Sequence, residues 1–153
     1  MQLRWAARIL VLALAALMVG DLRAQVVPSQ PAPDAQVELG QNYPNPFNLD
    51  TRIPFSVGQP PQCEEPGRLY RVTLRIYNLL SQLVAIPVLQ EGSGSAASGQ
   101  PLENVMLTCD RFVAYWDGKL QHSTQDAPRG IYLYQLEVDG RRYGARRMML
   151  VGR

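Results

Sequence analysis

The side chains best suited to chemistry in this sequence are two cysteines, Cys63 and Cys109, and a single histidine, His122. In an exported chain the two thiols meet oxidising conditions, so a disulfide between them is the default expectation. Closing a loop of about 47 residues would stabilise the fold by up to about 4 kcal/mol in the chain-entropy model. Two free buried thiols, or a metal site that includes His122, are the alternatives.

The same residues offer little for catalysis or for metal binding. His122 lies in a polar stretch, and the sequence contains no GxSxG, CxxC or HxxxH motif that would position a nucleophile and base or pair two metal ligands. Asp117, Asp126 and Glu137 carry oxygen atoms of the kind calcium prefers, but no DxDxDG loop surrounds them. We therefore predict no enzyme, no cofactor and no metal, and interpret these acidic residues as turn caps and surface charge.

The first 24 residues have the pattern of a targeting segment. Arg4 and Arg8 give a basic start, residues 9–19 are an unbroken apolar run, and Ala24 suits the last position before cleavage. The apolar run is shorter than the about 20 residues that span a bilayer. We predict a signal peptide over residues 1–24, a Pro-rich linker over 25–38, and export to the periplasm, the outer-membrane surface or the extracellular space, with no stable membrane span after signal removal.

The net charge gives no support for a nucleic-acid partner. The sequence has 15 basic and 13 acidic residues, but three of the basic and one of the acidic residues lie in the predicted signal peptide, which leaves 12 of each. Five arginines between positions 141 and 153 make the C-terminal end locally basic. Most such runs are solvated strand faces, and Arg146 and Arg147 are the pair that we expect to contact a protein partner.

Alternation of apolar and polar residues predicts strands through most of the remaining chain. Ile53, Phe55 and Val57 form one such series, and Pro54 within it removes a ladder donor, which predicts an edge strand. Further strands are expected over residues 71–76, 83–89, 105–108, 111–116, 131–138 and 143–151. The sequence Asp139-Gly140 predicts a two-residue hairpin turn between the last two strands.

About seven strands at short spacing, with no amphipathic helix after residue 24, predict an all-β fold, an antiparallel β-sandwich. In the strand over residues 71–76, Val72, Leu74 and Ile76 should face the core, with Arg71, Thr73 and Arg75 outside. The large side chains expected to anchor the core or its rim are Tyr77, Trp116, Tyr132 and Tyr134.

The stretch YPNPF, residues 43–47, places an asparagine between two prolines and an aromatic residue at each end. Proline fixes its own φ and moves the preceding residue out of the helical region, so this stretch has few conformations and loses little entropy when it is ordered. We expect Asn45 to bond its own backbone in a turn. We also expect Tyr43 and Phe47 both to pack against the sandwich, just before the first strand.

Six sequence blocks in order carry a resemblance to a known family: QNYPNPFN, TRIPFSV, VTLRIYNLLSQLV, YWDGK, GIYLYQLEVDG and RRMMLV. They resemble the immunoglobulin-like C-terminal sorting domain of cargo proteins of the type IX (Por) secretion system, which is close kin to the immunoglobulin-like domain of the flagellar hook-capping protein. The resemblance covers residues 39–153. It implies an exported, non-catalytic immunoglobulin-like domain that secretion machinery recognises for delivery to the cell surface.

The resemblance also implies which residues belong to the family motifs. They are Tyr43, Pro44, Asn45, Pro46, Phe47, Asn48, Tyr77, Asn78, Trp116, Asp117, Gly118, Gly130, Tyr132, Tyr134, Arg147, Met148 and Leu150. This sequence departs from the family pattern at Leu49, where proline is usual, and at Ser81, where glycine is usual. Serine in place of glycine makes a positive φ at position 81 less expected.

Two hypotheses about function follow. In the first, residues 39–153 are a transport signal of the type IX kind. In the second, the mature chain is a stand-alone envelope or extracellular structural or binding module with no cargo. The second is prompted by the short distance from the predicted signal peptide to the domain, since a sorting domain ordinarily follows a passenger.

Overall fold

The protein is described by a computed structural model that covers residues 36–90 and 98–152. The predicted signal peptide and residues 25–35 of the predicted linker lie outside the described residues. Over the described ranges the chain consists of strands, turns and irregular segments. The same ranges contain no helix with the length and apolar character needed to cross a membrane.

Nine strands are described, and all their pairings are antiparallel. In chain order they are β1 (Val37–Leu39), β2 (Thr51–Val57), β3 (Tyr70–Tyr77), β4 (Leu83–Ala85), β5 (Val88–Leu89), β6 (Val105–Leu107), β7 (Asp110–Trp116), β8 (Gly130–Val138) and β9 (Arg141–Leu150). Sheet A has the order β1-β2-β7-β5. Sheet B has the order β4-β3-β8-β9, with β6 also paired to β3. Strand β1 begins inside the predicted linker.

The apolar run over residues 83–89 was predicted as one strand and is divided between the two sheets. Strand β4 pairs with β3 in sheet B, whereas β5 pairs with β7 in sheet A. Pro87 lies between them and has no N–H to donate to a ladder. Its carbonyl accepts a hydrogen bond from the Leu102 backbone N–H at 2.9 Å. The proline thus marks the point at which the chain changes sheets.

The expectation that β2 is an edge strand is wrong, because β2 lies between β1 and β7. Pro54 is opposite Val113 of β7, and its carbonyl accepts a hydrogen bond from the Gly40 N–H at 2.8 Å. The N and O of one residue in an antiparallel strand point to the same side. The missing N–H therefore faces the short strand β1, whose regular pairing ends at Leu39, and the ladder with β7 is left intact.

The alternating apolar residues of both sheets form one buried cluster. Val72, Leu74 and Ile76 are fully buried, as predicted. Thr73 was expected to face outward but is buried as well, because the segment before β6 covers it and the Asn104 N–H donates to its Oγ1 at 2.9 Å. The outward face of β3 is therefore only partly solvated.

Three of the four predicted large core residues are buried. Trp116 of sheet A and Tyr132 of sheet B contact each other with ring centroids 5.3 Å apart, so aromatic rings from the two sheets meet. Tyr134 is fully buried. Tyr77 is only half-buried, because it lies at the end of β3 on the face opposite to buried Ile76.

The predicted disulfide between Cys63 and Cys109 is confirmed, which removes the free-thiol and metal-site alternatives. Cys109 lies where the chain crosses from β6 in sheet B to β7 in sheet A. The bond therefore fastens the long β2–β3 loop to this crossing. Gly58 has a φ of +75°, and a Cβ there would lie 2.6 Å from the Cys109 sulfur, so the close packing of the disulfide requires glycine.

The β3–β4 turn corrects the expectation about Ser81, which has a φ of +60°. Asn78 Oδ1 accepts hydrogen bonds from the Leu80 and Gln82 N–H groups at 3.0 and 2.9 Å. The Ser81 N–H donates to the Asn78 carbonyl at 3.0 Å. These bonds fix a tight turn that needs a left-handed residue, and serine occupies this position at a conformational cost.

We expect Ser81→Gly to raise the free energy of unfolding by about 0.5–1 kcal/mol, because glycine adopts the left-handed conformation without strain. Leu80→Gly is the matched control, since Leu80 is 78% exposed and has no positive φ. It should destabilise by a similar amount. Urea denaturation of both variants is the measurement, and a loss of stability in Ser81→Gly would contradict this account of the turn.

Candidate functional site

The proline-rich segment, residues 43–47, lies along the outer edge of β9. The Phe47 N–H donates to the Met149 carbonyl, and the Val151 N–H donates to the Phe47 carbonyl, each at 2.9 Å. Phe47 and Leu150 form a parallel bridge. The peptide bonds before Pro44 and Pro46 are both cis. The structure thus joins the first motif of the sequence to its last strand.

The sequence predicted that Asn45 would bond its own backbone in a turn. The structure shows instead that the Asn45 side chain bonds the backbone of β9. Its Oδ1 accepts a hydrogen bond from the Met149 N–H at 3.0 Å, and its Nδ2 lies 3.5 Å from the Arg147 carbonyl. The reason is that the outer edge of β9 presents backbone groups that need partners. The Asn45 side chain therefore acts as a short extension of sheet B.

Phe47 begins a chain of aromatic contacts through the core. It is 1% exposed, and its ring centroid lies 5.6 Å from that of Trp116, which in turn contacts Tyr132. Trp116 Nε1 donates to the Lys119 carbonyl at 2.9 Å, and the Tyr132 hydroxyl donates to the Pro128 carbonyl. The aromatic residues of three separate motifs therefore meet at one place.

Tyr43 was expected to pack against the sandwich as Phe47 does, but it is 49% exposed and so packs only in part. Its backbone N–H and carbonyl both pair with Arg52 at 2.9 Å, which holds the segment extended at this point. Neighbouring residues of an extended chain face opposite sides, so the burial of Asn42 turns Tyr43 outward. Pro44, Pro46 and Asn48 are also exposed.

Asn42 is the residue that the sequence analysis missed. It is 2% exposed, and its Nδ2 donates to the Thr51 Oγ1 at 2.9 Å and to the Pro44 carbonyl at 3.1 Å. Its backbone N–H donates to the Tyr134 hydroxyl, which donates to the Gly40 carbonyl at 2.8 Å. The block QNYPNPFN contains this asparagine, but its polar side chain gave no reason to expect burial.

We expect Asn42→Ala to lower the free energy of unfolding by about 1–3 kcal/mol, because the buried Thr51 Oγ1 loses its donor and the Pro44 carbonyl keeps only the bond from Thr51. Tyr43→Ala, one residue along, should cost less than about 1 kcal/mol because the ring is half-exposed. Thermal and urea unfolding of the two variants measure the contrast. Equal losses, or a larger loss for Tyr43→Ala, would show that the aromatic residue holds the segment after all.

The turn after β7, formed by Trp116, Asp117 and Gly118, packs against the end of the first motif. Gly118 has a φ of +72°, and a Cβ there would lie 2.5 Å from the Leu49 carbonyl oxygen. Asp117 Oδ1 accepts a hydrogen bond from the Lys119 N–H at 3.1 Å, which is the turn-capping role predicted for it. Glycine is required at position 118 because the backbone at Leu49 passes too close to leave room for a Cβ. Gly130, by contrast, begins β8 with open space beside it.

Arg146 and Arg147 were predicted as a pair that contacts a partner, and the structure places them differently. Arg146 Nε donates to the Leu39 carbonyl and so ties β9 to β1. Arg147 is exposed on the outer face of sheet B, opposite Leu133 of β8. Its carbonyl accepts a hydrogen bond from Gln41 Nε2 at 3.0 Å. Both arginines are exposed, but the Arg146 side chain is bonded to β1, so Arg147 is the one of the two that we consider for binding.

The pKa of Tyr134 is raised above its ordinary value of 10.0, chiefly because burial disfavours the charged phenolate. The N–H of Asn42 and the charge of Arg146 oppose this shift. Burial also raises the pKa of Tyr132. Above pH about 10 the unfolded chain loses these protons while the folded chain retains them, so stability falls as the pH rises and is unaffected at neutral pH.

We expect Tyr134→Phe to be less stable than the parent protein by about 1–2 kcal/mol at pH 8, because two hydrogen bonds are lost. Between about pH 9.5 and pH 11 the difference in stability between the two proteins should narrow. The parent loses stability there because its Tyr134 hydroxyl ionises more readily in the unfolded chain, and the Phe variant has no such group. Urea unfolding across this range is the measurement. A difference that stays constant to pH 11 would show that burial of this hydroxyl does not couple folding to proton loss.

Comparison with known proteins leaves the family of this chain open. No family model matches the chain, and no curated protein matches it. Among solved structures it is similar to the Pseudomonas fluorescens alkylpurine DNA glycosylase AlkC bound to DNA containing an abasic site analog, with 16% identity and a TM-score of 0.41. The likeness covers 76% of this chain and spans 30% of the glycosylase. It is too distant to bear on what this chain does or binds.

Proposed function

We propose that residues 39–153 form an immunoglobulin-like β-sandwich that serves as a non-catalytic sorting domain, recognised by type IX secretion machinery for delivery to the cell surface. The observation that carries this proposal is the meeting of the motif residues. Phe47, Trp116 and Tyr132 come from three blocks of the family pattern and form one aromatic chain. Residues that are far apart in the sequence thus belong to one structural unit.

The order of the strands supports the immunoglobulin-like assignment. Immunoglobulin domains have one sheet with the order A-B-E-D and a second with C-F-G, to which C′ is added beside C in variable-type domains. The orders β1-β2-β7-β5 and β4-β3-β8-β9 correspond to these when β1 is taken as A and β9 as G. The bond from Tyr132 near the start of β8 to Pro128 corresponds to the tyrosine corner of such domains.

Export is supported by the disulfide. A bond between Cys63 and Cys109 is stable in oxidising compartments and rare in the cytosol. Together with the predicted signal peptide, it favours the periplasm, the outer-membrane surface or the extracellular space. The bond does not link the strands that correspond to B and F, where antibody domains have theirs, so it is a separate addition to the fold.

A non-catalytic role is supported by the positions of the reactive side chains. The cysteines are oxidised, and His122 lies in an exposed loop with its Nε2 3.2 Å from Gln121 Nε2. Catalysis by a nucleophile needs a positioned base and an orienting group. We propose a protein partner for this domain and neither a nucleic acid, a metal nor a cofactor.

The sorting role is tested by fusing residues 39–153 behind a signal peptide and a reporter, in a host that has the secretion system. The reporter should reach the cell surface. Tyr43→Ala should reduce delivery several-fold without unfolding the domain, because an exposed motif residue is available for recognition. Leu49→Ala is the matched control, since Leu49 is 53% exposed and lies outside the motif. Retention of the unmutated fusion in the periplasm would refute the proposal.

The second hypothesis, a stand-alone envelope or extracellular module, is favoured by the integration of β9 into the fold. Met148 and Leu150 are 1% and 5% exposed, and the strand is bonded on one side to β8 and on the other to the proline-rich segment. Such a module should persist in its native host with an intact C-terminus. Mass spectrometry that shows rapid removal of β9 would argue against it.

A further inference from the structure

A row of side chains crosses the outer face of sheet B. Tyr77 of β3 is opposite Leu83 of β4 on one side and Leu133 of β8 on the other. Leu133 is opposite Arg147 of β9. Two residues further along each strand, and on the same face of the sheet, Ile131 of β8 is opposite Met149 of β9. We call this set the outer patch, and its members are Tyr77, Leu83, Ile131, Leu133, Arg147 and Met149.

The outer patch points away from the core. Tyr132 and Met148, which alternate with its members along β8 and β9, are buried at 4% and 1% exposure. The patch residues therefore face the opposite side of the sheet. Leu83 and Met149 are 47% and 42% exposed, and the rest of the apolar members are half-buried. Contiguous exposed apolar residues of this kind mark interaction sites.

The β3–β4 turn extends this apolar surface at the same end of the sheet. Leu79 and Leu80 are 64% and 78% exposed, and the turn that carries them is held by the hydrogen bonds to Asn78. A rigid, exposed apolar turn loses little entropy on binding. On the β9 side the patch adjoins the exposed proline-rich segment, through the bond from the Met149 N–H to Asn45. The surface thus continues into the family motif.

The cation of the outer patch, Arg147, indicates an acidic group on the partner. Among the neighbouring arginines of sheet B, Arg75 pairs with Glu137 at 3.3 Å and Arg146 bonds the Leu39 carbonyl. Among the described residues, the Arg147 side chain makes no ion pair or hydrogen bond. It lies beside Leu133, where an approaching apolar surface would exclude water. A carboxylate on that surface would meet a guanidinium that has no other partner.

We propose that the outer patch is the docking surface for a protein partner that presents aliphatic side chains together with a carboxylate against Arg147. The proposal rests on the proposed role of the chain as an interaction domain and names the chemistry of its partner. A protein fits better than a lipid surface, because the patch is a flat set of cross-strand rows with a single cation. Binding to anionic lipid calls for a cluster of several cations.

The test uses purified chain without the predicted signal peptide and two blocked peptides of about six residues, the length of a short strand. One alternates leucine with glutamate and the other leucine with glutamine. In NMR titrations the glutamate peptide should shift the backbone amides of the outer patch and bind more tightly than the glutamine peptide. Arg147→Gln should weaken binding of the glutamate peptide about 3- to 5-fold and leave the glutamine peptide unchanged.

Arg142→Gln is the matched control, because Arg142 is also exposed on β9 but lies opposite Glu137, outside the patch. It should leave both affinities unchanged. Leu133→Asn should weaken the binding of both peptides. Met149→Gln, at a more exposed position, should weaken both as well. Equal binding of the two peptides, or amide shifts elsewhere on the domain, would overturn the proposal.

Two other occupants would also overturn it. Sedimentation of the chain with phosphatidylglycerol vesicles that depends on Arg147 would indicate a lipid surface. Dimerisation in sedimentation velocity that is abolished by Leu133→Asn would indicate a second copy of this chain. Because the titration contains no secretion machinery, its outcome is independent of reporter delivery, so failure of this proposal and failure of the sorting role are distinguishable.

Discussion

The backbone pairing of Phe47 with Met149 and Val151 is the interaction on which the rest of this structure depends. It closes the outer edge of β9 where Met148 and Leu150 enter the core, and it fixes the position of the Phe47 ring against Trp116. Without it, β9 would have a backbone ladder to β8 alone, and its other edge would be held only by side-chain bonds such as those of Gln41 and Asn45. An unpaired edge there would expose backbone groups that other chains could pair with.

The polar contacts around Asn42 complement this pairing from inside. Asn42 donates its backbone N–H to the Tyr134 hydroxyl and its side-chain amide to Thr51 Oγ1 and the Pro44 carbonyl. The Tyr134 hydroxyl in turn donates to the Gly40 carbonyl, and Thr51 Oγ1 donates to the Pro44 carbonyl. A buried network of this kind is stable only when each member has its partner. The chain before the proline-rich segment is thereby fixed in one position, which determines that Asn42 points inward and Tyr43 outward.

Sequence periodicity predicted the all-β class, most strand positions and the buried faces, because alternation with period two is a local property. The disulfide was predictable from the cysteine number and the predicted signal peptide. Less predictable were the sheet change at Pro87, the interior position of β2 and the burial of Asn42. Each of these depends on which strand lies alongside, and Pro54 is tolerated only because its missing donor faces the end of β1. Asn45 was misassigned for the same reason, since its partner lies 104 positions away.

The long sequence separation between Asn45 and Met149 also has a consequence for the order of events as the chain is synthesised and folds. A chain that emerges from its N-terminus presents the proline-rich segment early, yet the strand edge that receives it arrives with the final few residues. Non-local pairing of this sort requires a large loop to close before any contact is gained. The domain is therefore left open along one side until β9 is available to pair with the proline-rich segment.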